Sequence, residues 1–156
     1  MRRVEDLLRD VMVGVAEQSA HMVLWLAKVG EVDRRELWGH VEGARSCAQW
    51  LGWKCGLDGR TAREHVRVAH RLEELPTVRR AFAEGRLSYS KVRALCRAPV
   101  ATAEAEEFLL DLALDVSAGH LERILASCAR AHGEPLTLED EVTRRISCGI
   151  IRWVDD

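Results

Sequence analysis

The chain has 156 residues, 47% of them apolar and 31% charged, with a formal net charge of −2, which is the make-up of a globular domain large enough to bury a core. The longest apolar run, Met22 to Ala27, is too short to span a bilayer, and Glu5, Asp6 and Asp10 behind Arg2 and Arg3 spoil a signal peptide, so a cytoplasmic protein with no membrane partner is expected. The near-neutral total hides a block: residues 43–98 carry 12 Lys and Arg against 5 Asp and Glu, and residues 99–156 carry 5 against 12.

In chain order, Val4, Leu7, Leu8, Val11, Val15, Met22, Leu26 and Val29 recur at helical spacing. They predict one long helix or two from Val4 to about Leu37, with a break near Gly14 or Gly30. Ser46 can cap a short helix over Cys47 to Cys55, which Gly56 ends. Asp58 caps a longer one from about Arg60 to Glu74, stopped by Leu75-Pro76. Short helices follow from Val78 to Ala83, ended by Gly85, and from Ser88 or Ser90 to Leu95, closed by Pro99. Thr102 opens a helix to about Val116, and Ser117 another reaching Ala131. The tail then changes character, because Arg145 to Val154 is β-branched and partly alternating, a strand signal. A lone strand leaves an edge of unpaired backbone groups, and Asp155-Asp156 suits the start of a turn towards a partner strand. The expectation is a mainly α, multi-helix single domain over 1–156 with one strand near 145–154. Truncation at the C-terminal end is the favoured account of that strand, and self-association through it the other.

The run from Ser46 to Arg71 reads as helix, glycine-containing turn, helix, the pattern of a helix-turn-helix. In its second helix Ala62, Val66, Ala69 and Leu72 form an inward stripe, with His65 where such motifs bury an aliphatic. Arg60, Arg63, Arg67 and Arg71 share roughly the opposite face. A helix presenting several arginines can enter a major groove or run along phosphates, so DNA is the expected partner, with Lys54, Lys91 and Arg93 as supporting phosphate contacts. The plainer alternatives are a solvated arginine face, or a basic centre that docks on an acidic protein surface. His65 and His70 are five apart and do not form an i, i+4 metal pair. No H-E-x-x-H, phosphate-cradling loop or G-x-S-x-G occurs, so no catalytic residue, metal or cofactor is predicted. The tryptophans at 25, 38, 50 and 53 are expected in the core, the five cysteines read as small buried apolar residues, and Glu106-Glu107 reads as helix-surface charge.

Three stretches carry a resemblance: Glu42 to Leu57 (EGARSCAQWLGWKCGL) with Thr61 to Ala69 (TAREHVRVA), then Leu72 to Pro76 (LEELP), then Phe82 to Leu95 (FAEGRLSYSKVRAL). Together they resemble the bacterial domain-of-unknown-function family number 222 over most of residues 20–154. Members of that family are often followed by a C-terminal HNH nuclease domain, so the resemblance implies a helical, DNA-associated module ahead of a metal-dependent nuclease. An HNH site needs grouped histidines and an asparagine, whereas this chain has no asparagine and no histidine after Gly133. Nuclease activity is therefore not carried over, and a non-catalytic DNA-binding module is expected, with a protein-interaction module or a truncated endonuclease remnant as the alternatives. Leu75-Pro76 with Gly85 to Leu95 is also similar to a segment that follows the helix-turn-helix of chromosome-partitioning DNA-binding proteins.

Overall fold

The computed structural model describes residues 3–132; the strand expected at 145–154 lies outside them. The described residues form seven α-helices in two compact units that divide between Arg86 and Leu87. No helix among them is long and apolar enough to cross a membrane.

The apolar period that opens the chain makes one helix, α1 (Val4–Arg34), with no break at either glycine. A lone interior glycine costs about 1 kcal/mol relative to alanine, too little to interrupt a long helix that contains no proline. Gly30 has a packing role as well. It is buried, and a Cβ there would make ordinary contact with the Ala69 Cβ at 3.6 Å and stand 3.1 Å from Glu73 Oε1, which would have to give by a few tenths of an ångström. Beyond Arg35 the chain reverses through Glu36, in the left-handed region at φ 51°, into a 3-10 turn over Leu37–His40.

The rest of the first unit is α2 (Cys47–Cys55), α3 (Gly59–Glu73) and α4 (Pro76–Ala83). α4 starts two residues earlier than its apolar residues suggest, because Pro76 is tolerated in the first turn, where its missing N–H has no helical acceptor. α3 is the hub of the unit and packs against α1, α2 and α4. Its buried face is Ala62, His65, Val68, Ala69 and Leu72, so Val68 and His65 take the inward position expected of Val66, which is only half-buried. Val23, Leu26 and Val29 of α1, Cys47 and Leu51 of α2, and Val78 and Phe82 of α4 complete this core. Each buried Leu or Phe there contributes about 1.5–3 kcal/mol relative to exposure.

The second unit holds α5 (Tyr89–Leu95), α6 (Ala103–Asp115) and α7 (Ala118–His132), with α5 packed on α6 and α7. Its helices begin where hydroxyls were expected to cap them. Ser88 Oγ accepts the Lys91 N–H at 3.4 Å, Thr102 Oγ1 that of Ala105 at 3.2 Å, and Ser117 Oγ that of His120 at 3.3 Å. Glu106 departs from expectation: it is buried on α6, while Glu107 is exposed. Of the described cysteines Cys47 and Cys96 are buried, Cys128 is half-buried and Cys55 is exposed.

Candidate nucleic-acid interface

α2 and α3 are joined by Gly56, Leu57 and Asp58 and pack on each other. Ser46 opens the pair, its Oγ accepting the Gln49 N–H at 3.2 Å while Gln49 Oε1 accepts the Arg45 N–H at 2.8 Å. Gly56 ends α2 at φ 67°, a conformation that favours glycine. Asp58 opens α3. Its Oδ1 accepts the N–H groups of Arg60 and Thr61, both at 3.0 Å, and its Oδ2 accepts the Thr61 hydroxyl at 2.5 Å. The Thr61 hydroxyl first, and then these backbone bonds, hold the Asp58 carboxyl below its ordinary pKa.

The far end of α3 is fastened to α1. His70 Nε2 lies 2.7 Å from Asp33 Oδ2, and Arg34 pairs with Glu73. Between these ends, at 100° per residue, Arg60, Arg63, Arg67 and Arg71 fall within an arc of about 80°. The expected stripe therefore exists as geometry, but its four members differ. Arg67 donates from Nε and Nη2 to both carboxylate oxygens of Glu64, each at 3.0 Å, and Arg71 pairs with Glu74. Arg60 and Arg63 are exposed and have no ion pair among the described residues. Of the supporting residues, Lys54 is exposed on the last turn of α2. Lys91 and Arg93 belong to the other unit, where Arg93 Nη2 lies 3.1 Å from Glu122 Oε1 of α7.

Two aromatic placements refine the sequence expectation. Trp25 does pack inward, meeting His65 edge-on with ring centroids 5.2 Å apart at 87°. Burial lowers the His65 pKa against the opposing influence of Glu64 and Asp58. Trp53 instead stays 54% exposed on α2, its ring 3.6 Å from where a Cβ on Gly43 would stand. Only the glycine at 43 hinted at this, since it leaves room for a ring to lie over the loop. No group of three or more His, Cys, Asp or Glu side chains converges as a metal site among the described residues.

The class this defines is a mainly α protein whose described residues present an arginine-bearing, carboxylate-capped helix from a two-helix turn. The family model described as a domain of unknown function, DUF222, matches residues 5–149, and the chain belongs to that family. The match begins in the first turn of α1, so the exposed start of that helix is part of the family's domain. No curated protein and no solved structure matches the chain.

Proposed function

We propose that the α2–α3 unit binds DNA, and that the chain acts by binding, without catalysis, as the DNA-associated module of a family linked by resemblance to HNH nucleases. One observation carries the reading: Arg60 and Arg63, exposed and without a carboxylate partner among the described residues, stand on the first turns of a helix fixed at both ends. The first turns of the second helix are the part of a helix-turn-helix that reaches the major groove. A positive charge already held by a carboxylate has less to gain from phosphate, so Arg67 and Arg71 follow Arg60 and Arg63 in importance.

Fluorescence anisotropy of the whole chain on a mixed-sequence duplex, at several salt concentrations, tests this. Binding should weaken as salt rises, and Arg60→Ala/Arg63→Ala should reduce the log–log salt slope by about 2 if both arginines meet phosphate. Glu64→Gln, which releases Arg67, should steepen the slope by up to about 1 unit. Absence of binding by the folded protein, or binding indifferent to salt, would count against DNA. The same arginine pair would then face an acidic protein surface.

A further inference from the structure

We propose that the N-terminal half of α1 pairs in antiparallel fashion with the same segment of a second copy of this chain, making a dimer. The proposal does not depend on DNA binding.

Along α1, Val4, Leu8, Val11, Val15, Met22, Trp25 and Val29 recur in steps of four and three residues, interrupted only by Gln18. That is the seven-residue repeat of a helix–helix seam. Of the far half of the seam, Val29 is 4% exposed in the core of the first unit, while Met22 and Trp25 are half-buried. The near half is open. Val4 is 75% exposed, Leu7 53%, Leu8 61%, Val11 61%, Met12 73% and Val15 46%. At about 120 Å² per fully exposed aliphatic side chain these six uncover roughly 450 Å², within the 300–600 Å² of a monomer's largest apolar patch, which is often functional, and about the apolar share of the roughly 800 Å² each partner gives to a stable interface.

A second copy fits because the patch is complementary to itself. In the antiparallel register in which facing residue numbers sum to 19, Val4 meets Val15 and Leu8 meets Val11. The two-fold axis then repeats both layers, giving the self-matching contact of an isologous interface. Leu7 and Met12 flank these layers. Antiparallel helix dipoles attract, whereas parallel pairing would align them. Charged partners find little along the seam, because Asp6 and Arg9 lie off it and pair with each other at 3.4 Å.

Sedimentation equilibrium of the whole chain, over roughly a hundredfold range of concentration, should give a mass rising to that of two chains. Leu8→Glu/Val11→Glu should hold it at one chain, with the cooperative unfolding of the packed unit retained because both side chains are exposed in the single chain. In a Cys55→Ser/Cys128→Ser/Cys148→Ser background, a mixture of Val4→Cys and Val15→Cys chains should form a disulfide between the two, and neither chain should do so alone. One-chain mass at the highest concentration overturns the proposal. So does a dimer that survives Leu8→Glu/Val11→Glu, or a Val4→Cys chain that cross-links to itself. If the double glutamate variant fails to fold, the mixed-cysteine result decides.

Discussion

His65 should make the stability of the first unit depend on pH in mild acid. Its pKa in the folded chain lies below 6.5 because burial against Trp25 penalises the imidazolium, so in mild acid the unfolded chain takes up the proton first. The associated stability is therefore present above pH 6.5 and is lost as pH falls through the lowered folded value. Melting temperatures followed from neutral to mildly acidic pH should fall on the acid side, and His65→Phe should flatten that fall. Asp58 has the same sign at lower pH. Its contribution is present above the ordinary carboxylate pKa and is lost as pH falls through the depressed folded value, so Asp58→Ala should lower the melting temperature at neutral pH and matter progressively less in acid. Cys47 supplies a kinetic readout. Burial, aided by Asp33 and Cys55, pushes its thiol up to about 11, so at neutral pH a thiol reagent should label exposed Cys55 first and reach Cys47 only on unfolding.

At the scale of elements, two turns make opposite predictions. Gly56 closes α2 at φ 67° with open space beyond it, so Gly56→Ala should cost about 1–2 kcal/mol in denaturant melts through backbone strain alone. Glu36 occupies the same left-handed region without being glycine, and Glu36→Gly should be neutral or stabilising by up to about 1 kcal/mol. The helix starts were legible because a cap is a local device: Ser46, Asp58, Ser88, Thr102 and Ser117 each act on an amide two or three residues away. The buried face of α3 was harder to place, since His65 inside it meets the ring of Trp25, which lies 40 positions earlier in the chain. The division of the arginine stripe was within reach of the sequence, since Glu64 stands three residues before Arg67 and Glu74 three after Arg71, the spacing of helix neighbours. Spacing alone did not say which carboxylates would close on which guanidinium groups. That depends on rotamers fixed by the packed side of the helix.

At the scale of the whole molecule, the basic block of residues 43–98 is not one body, since the boundary between units falls inside it at Arg86. Residues 1–86 carry 15 Lys and Arg against 13 Asp and Glu, a surplus of only two, and residues 87–156 carry 8 against 12. Any attraction of the first unit for a polyanion therefore comes from where its arginines stand on α3, not from its net charge. A salt titration should accordingly respond to substitution of Arg60 and Arg63 far more than to neutralising an exposed arginine elsewhere, such as Arg35.

α1 also sets a boundary in time. Gly85, at φ 73°, lies so close to α1 that a Cβ there would stand 2.7 Å from that of Ala16, and from this point onward the helix is held in the packed unit. Towards Val4 its backbone hydrogen bonds are sustained only by the helix itself, and a stretch that short is marginal in water. In the isolated chain, amide deuterium uptake should be slow from Met22 to Gly30 and quicken turn by turn from Val15 to Val4, as a zipper opens from its free end. When a second copy lies along that end, uptake over both halves should become equally slow, and the protein concentration at which the gradient disappears will measure how tightly two chains hold each other.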